Sequence, residues 1–139
     1  MSLRGSVLSA GLWLLTALLA AGCASTGVGT SPAEEVVLVR AQARLDALRE
    51  RNWAAAYPFL TPAYRAIVPQ QRYANQFQGP IQWEAAKAKG AKCEEKRCLV
   101  DVEISFRLLL PGHSDRVSST NFEEVWVLED GVWFKFEPV

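Results

Sequence analysis

Between Cys98 and Leu110 the chain alternates with a period of two. Cys98, Val100, Val102, Ile104, Phe106, Leu108 and Leu110 fall on one parity, and Leu99, Asp101, Glu103, Ser105, Arg107 and Leu109 on the other. An extended backbone turns successive side chains to opposite faces, so this run predicts a long strand with one face buried. Pro111-Gly112 breaks it, and a loop runs to about Arg116. Val117 to Leu128 reads as the next strand, and Asp130-Gly131 as a hairpin signal, with Val132 to Phe136 as the return strand.

Upstream the signals are helical. Ser31-Pro32-Ala33-Glu34 combines an N-cap Ser, a Pro at the first helical position and a Glu three residues after the Ser, the elements of a capping box. Val37, Ala41, Leu45 and Leu48 then recur at helical spacing, with Arg40, Arg44, Asp46, Arg49, Glu50 and Arg51 on the other faces. An amphipathic helix of about 20 residues is expected, and the acids among its polar residues favour packing on a core over lying on a membrane. Asn52 caps a second helix, Trp53 to Leu60, and Thr61-Pro62 repeats the cap-plus-Pro signal for a third, through Val68. Pro69 stops that helix and begins another turn or two, to Phe77, and Gly79-Pro80 ends the helical half.

The N-terminus reads as an export signal. Residues 1–22 carry one charge, Arg4, then an apolar run from Val7 to Ala21 that closes on Ala20-Ala21-Gly22-Cys23. As a helix the run would span about 22 Å, short of the roughly 30 Å hydrocarbon core, which disfavours a permanent transmembrane helix. Cys23 after small residues resembles the lipobox of bacterial lipoproteins, with Ala20 standing where Leu is usual. That resemblance implies cleavage before Cys23, acylation of its thiol and a lipid bilayer as partner, since two or three acyl chains anchor stably. Ala24, where Asp would signal retention, implies the outer membrane of a Gram-negative host, on its periplasmic face. Residues 23–31 are small and turn-prone, a flexible tether, and 32–139 form one domain. With 15 basic and 15 acidic residues in 139, the chain has no basic footprint for nucleic acid.

Cysteine count decides an ambiguous segment. Ile81 to Lys92 has helical propensity around Glu84-Ala85-Ala86-Lys87, but Cys93 and Cys98 remain once Cys23 is lipidated. In an oxidising compartment a disulfide across a hairpin tip is expected, which makes the segment a strand. A metal pair with His113 or a redox-active dithiol is the alternative, and Cys-x4-Cys with one distant His matches neither well. Direct Cys93–Cys98 pairing continued backward would turn Lys87 and Lys89 into the core. A one-residue bulge near Gly90-Ala91 instead puts Ala86 and Ala88 inside, with Lys87 opposite Glu103 and Lys89 opposite Asp101.

The class that follows is α+β: N-terminal helices packed on a curved four-stranded antiparallel sheet, a cystatin-like cone. Arg51-Asn52-Trp53-Ala54-Ala55-Ala56-Tyr57, Leu60-Thr61-Pro62-Ala63-Tyr64-Arg65 and Trp126-Val127-Leu128-Glu129-Asp130-Gly131-Val132-Trp133 carry a resemblance to the nuclear transport factor 2-like superfamily, which includes SnoaL-like cyclases and ketosteroid isomerases. The resemblance implies a cone whose mouth holds a small apolar ligand, performs acid/base chemistry or is plugged by side chains, and it grants no single function.

Enzymes of that kind need an ionisable group in an apolar pocket. The strand from Cys98 offers none, since Asp101 and Glu103 face outward. A three-residue loop Glu129-Asp130-Gly131 would place Phe122, Glu124, Trp126, Leu128, Phe134 and Phe136 on one face with Glu124 its lone acid; a two-residue loop would scramble that set. Glu124 is usually a solvated or ion-paired residue in such a place, for instance with Lys135. Tyr57, Tyr64, Trp126 and Glu124 are the pocket candidates; Tyr73 also lies on a helix. His113, Ser114 and Asp115 are adjacent in a loop and make a poor triad. No catalytic residue, metal or cofactor is assigned, and no phosphate loop or zinc motif occurs. The expectation is a membrane-anchored, non-catalytic binding domain whose partner is a small apolar ligand, an envelope protein or a second copy in a homodimer. The alternatives are a SnoaL-like isomerase, dehydratase or hydrolase, and a structural subunit of an envelope assembly; exposed Trp and Val on the outer sheet face would favour assembly.

Overall fold

The computed structural model describes residues 29–112 and 116–139. The expected signal segment, Cys23, the tether up to residue 28 and the His113 to Asp115 triplet lie outside the described residues. The chain runs α1 (Pro32–Arg49), α2 (Trp53–Ala56), a 3-10 turn (Tyr57–Phe59), α3 (Pro62–Ile67), α4 (Gln70–Asn75), then β1 (Ile81–Glu94), β2 (Arg97–Leu108), β3 (Val117–Glu129) and β4 (Val132–Lys135). The four strands form one antiparallel sheet in the order β1-β2-β3-β4, with α1 across its concave face. The arrangement is α+β, as the two periodicities require.

α1 starts where its cap dictates. Ser31 Oγ accepts from the Glu34 N–H at 3.3 Å, and Glu34 Oε2 accepts from the Ser31 N–H at 2.7 Å. The other Glu34 oxygen accepts from the Cys93 N–H at 3.3 Å, so the cap also ties the helix to the far end of β1. These backbone bonds, that from Ser31 first and that from Cys93 second, hold the Glu34 carboxyl below its ordinary pKa. Val37, Ala41 and Leu45 pack against the sheet and Leu48 against the short helices, all buried, each large side chain contributing about 1.5–3 kcal/mol relative to exposure. Gln42 serves the edge strand: its Nε2 donates to Ala86 O at 3.1 Å, and its Oε1 accepts from the Ala88 N–H at 3.0 Å. The helix differs from expectation at Arg44, which is only 3% exposed.

The register of β1 and β2 breaks near Gly90. Cys93 pairs with Cys98 and Ala91 with Val100, whereas Ala88 pairs with Val102, Lys87 with Glu103 and Ala86 with Ile104. Ala86 therefore joins the core and Lys87 is exposed, the outcome that the cost of burying lysines demands. The extra residue is Lys89, so Gly90, and not Lys89, lies opposite Asp101; the Lys89 ammonium reaches Glu103 instead, at 3.6 Å. Gly90 keeps an ordinary φ, so the bulge does not depend on glycine. A second break at Glu84, between Trp83 and Ala85, was not legible in the sequence.

Cys93 and Cys98 are joined by a disulfide. The β3–β4 turn has two residues, Asp130 (φ 48) and Gly131 (φ 78), with Glu129 paired to Val132. Two successive left-handed residues make the turn whose twist matches a hairpin. Trp133 and Lys135, and not Phe134 and Phe136, therefore stand beside Leu128 and Trp126. Between the 3-10 turn and α3, Leu60 makes a single parallel bridge to Lys135.

Candidate functional site

The concave face of the sheet meets α1 and α4 in a buried polar cluster. Glu124 points inward from β3 and is 4% exposed, while Glu123 is exposed. Its Oε1 accepts from Arg44 Nη1 at 2.7 Å, and its Oε2 from Trp126 Nε1 at 3.1 Å. Arg44 Nη2 donates to the Tyr73 hydroxyl at 3.2 Å. Arg44 Nε is buried with no hydrogen-bond partner among the described residues. Trp126 and Tyr73 are fully buried. The inward acid is thus matched by a cation delivered from a helix 80 residues earlier in the chain.

Lys135 lies beside this cluster and sits against the Glu137 carboxylate. Its pKa is lowered to about 8, by burial first and by the Arg44 charge second, with Glu124 opposing both. Burial raises the Tyr73 hydroxyl above its ordinary value, against the pull of Arg44. Arg44 on one oxygen and Trp126 on the other tie the Glu124 carboxylate to the fold. Each oxygen thus accepts one hydrogen bond from within the fold, and Glu124 lines neither of the two clefts described below.

The remaining pocket candidates do structural work. The Tyr57 hydroxyl donates to Val68 O at 2.6 Å, with Arg65 O at 3.1 Å also in reach, closing the end of α3. Tyr64 is buried, and its hydroxyl accepts from Gln76 Nε2 at 3.0 Å. Of the four candidates the interior unites Glu124 and Trp126 and leaves Tyr57 and Tyr64 out. The tyrosine that joins the cluster is Tyr73, through Arg44, and the group missed altogether is Arg44. Its position three residues after Ala41 and next to Leu45 on the buried stripe was the available signal.

A cleft of about 470 Å³ opens elsewhere. It lies where α1 ends and β1 begins, and Trp53, Phe77, Trp83, Arg49, Arg51 and Gln82 are among its walls. None of Tyr57, Tyr64, Trp126 and Glu124 lines it. A shallower cleft of about 360 Å³ lies between Gln42, Asp46 and Arg49 of α1 and the Ala85 to Ala88 stretch of β1. Among the described residues no cluster of His, Cys, Asp and Glu could hold a metal ion, and no helix is long and apolar enough to cross a membrane. No described Trp is exposed on the outer sheet face: Trp126 and Trp133 are buried, and Trp53 and Trp83 half-buried.

No family model matches the chain, and no curated protein matches it significantly. Solved structures do resemble it. A SEC-C motif containing protein from Rhodopseudomonas palustris matches with a TM-score of 0.57 at 16% identity, over 76% of this chain and 77% of the other. A putative Ca/calmodulin-dependent kinase II association domain from Exiguobacterium sibiricum matches with a TM-score of 0.51 at 18% identity, over 79% of this chain and 93% of the other. At these identities the likeness is one of fold.

Proposed function

We propose that the chain is an exported lipoprotein, acylated at Cys23, whose nuclear transport factor 2-like domain works by binding and not by catalysis. The observation that carries the non-catalytic part is the Arg44–Glu124 pair, 4% exposed on both sides. An isomerase or dehydratase of the SnoaL kind uses an inward carboxylate or imidazole that faces substrate. Here the inward acid is ion-paired with Arg44 and hydrogen-bonded to Trp126, while Arg44 also holds the Tyr73 hydroxyl. The Cys93–Cys98 disulfide supports an oxidising compartment. The outer membrane, periplasmic face, is the location this reading assigns.

Mass spectrometry of the protein purified from a Gram-negative host tests it. The expected mature chain begins at Cys23 and carries the added mass of its acyl groups, and Cys23→Ser loses both the cleavage and the added mass. An unmodified chain that still begins at Met1 would refute the anchor. A second reading, a subunit of an envelope assembly, draws on Val36 (52% exposed) and Val39 (72% exposed), apolar residues on the outer side of α1. Light scattering of the purified protein tests that reading, which requires a defined oligomer.

A further inference from the structure

The cleft at the end of α1 has a floor and a rim of different chemistry. Trp53 stacks on Phe77 with ring centroids 5.2 Å apart and 11° between planes, and Phe77 meets Trp83 edge-on at 6.3 Å. Arg49, Arg51, Glu50, Gln78 and Gln82, all exposed, line the same cleft around these aromatic residues. An anion would meet Glu50 and the partial negative charge at the C-terminus of α1. A purely apolar ligand would strand the polar rim without partners. A saccharide satisfies both parts: it lays apolar C–H faces on aromatic rings, and its hydroxyls both donate and accept at a mixed rim. A volume of about 470 Å³ lies within the range of small-molecule sites.

Arg51 supplies an independent observation. α1 closes with the Asn52 N–H bonded to Ala47 O at 2.8 Å and the Arg51 N–H to Leu48 O at 3.0 Å. That closure puts residue 51 in the left-handed region, where its φ is 57. Glycine is the ordinary occupant of this position, and a side chain there is disfavoured. The chain carries arginine instead, and the residue so placed lines the cleft. Among the described residues the other two side chains held at positive φ, Glu95 and Asp130, sit in hairpin turns, whereas Arg51 closes a helix and lines the cleft. The cleft also lies at the opposite end of the 18-residue α1 from Ser31, about 27 Å away, so a domain anchored through Cys23 would present it away from its bilayer.

We propose that this cleft binds a small neutral glycan, with Trp53, Phe77 and Trp83 as the stacking floor and Arg51, Gln78 and Gln82 as hydroxyl partners. The proposal rests on the reading of the domain as a binding module and names its ligand class. The test uses the full chain purified in a detergent without a sugar headgroup. It is titrated with triacetylchitotriose and with maltotriose, following tryptophan emission and the side-chain amide signals of Gln78 and Gln82 by nuclear magnetic resonance. A saturable response to at least one sugar is expected. Arg51→Gly should raise the thermal midpoint by about 3 °C while weakening binding about five- to tenfold. Gln78→Ala and Gln82→Ala should weaken binding with the midpoint nearly unchanged. The proposal is overturned if neither sugar gives a saturable response, if all three variants bind as the wild type does, or if 1-naphthoate binds more tightly than both sugars. Acylation at Cys23 is read by mass in the same preparation, so a failed titration and a failed anchor are distinguishable.

Discussion

Replacing Arg44 by Met removes the cation of an ion pair whose side chains are both 4% exposed. Unit charges about 4 Å apart at an effective dielectric constant of about 20 attract by about 4 kcal/mol. Removing one member of a buried pair costs about 3–5 kcal/mol, because the other charge stays desolvated. Arg44→Met should therefore destabilise by about 3–5 kcal/mol, a large part of the roughly 5–15 kcal/mol that holds a domain folded. Glu124→Gln keeps an acceptor for Trp126 Nε1 but leaves Arg44 without its counter-ion, at a similar cost. In Arg44→Met/Glu124→Gln neither charge remains, so the double variant should lose less than either single one, a coupling of about 3 kcal/mol or more. Urea unfolding followed by tryptophan fluorescence reads this, with equal slopes confirming that the comparison is of stabilities. Single variants that each cost under about 1 kcal/mol, or a double variant equal to the sum of the two, would refute the pair as the organiser of the interior.

Three further predictions follow from the geometry. Lys135 has a folded pKa of about 8 against an ordinary 10.5, so above pH 8 the unfolded chain binds more protons, and stability should rise between pH 8 and 10 by up to about 3 kcal/mol. Tyr73, shifted upward, reverses the trend above about pH 10, because the unfolded hydroxyl ionises first; a flat urea midpoint across that range would contradict the assignment. Joint replacement of Cys93 and Cys98 by Ala, whose separation is 5 residues, should cost about 2 kcal/mol in the loop-entropy account, measured by denaturation against the oxidised wild type. Gly131→Ala should cost about 1–2 kcal/mol from its positive φ alone, since an added Cβ meets nothing within 4 Å. Gly90→Ala, where Cβ would lie 3.8 Å from Asp101 Oδ2 at an ordinary φ, should be near neutral; equal losses at both sites would contradict the backbone account of the bulge.

Much of the fold was legible because its signals act over a few residues. The cap at Ser31, the period of two in β2 and the turn at Asp130-Gly131 are each local. The break near Gly90 was legible for a different reason: Lys87 and Lys89 could not share a face with Val102 and Ile104 without a large desolvation cost. The break at Glu84 had no such argument, since its partner Arg107, at 3.0 Å, lies on the next strand 23 residues away. The turn length was the other ambiguity. Two residues and three residues both fit Glu129-Asp130-Gly131, and each selects a different set of β4 side chains.

The candidate site divides along the same line. Alternation says that only one of Glu123 and Glu124 faces inward, and the sequence left the choice to the turn; the structure turns Glu124 in. Its pairing with Arg44 was not legible either, because a helical pattern marks arginine as a surface residue until a partner is known, and the partner lies 80 residues away. The aromatic cleft is built from three stretches, Leu48–Trp53, Gln76–Gly79 and Ile81–Trp83, none of which carries a binding motif alone. By itself the sequence determined the long first helix and its cap, the period-two strand β2 with its buried face, and the closing hairpin, since these depend on neighbours within one turn or one pleat. Only the tertiary structure decided which buried charge meets which, and where a concave surface is left open, because those depend on how the elements close upon one another.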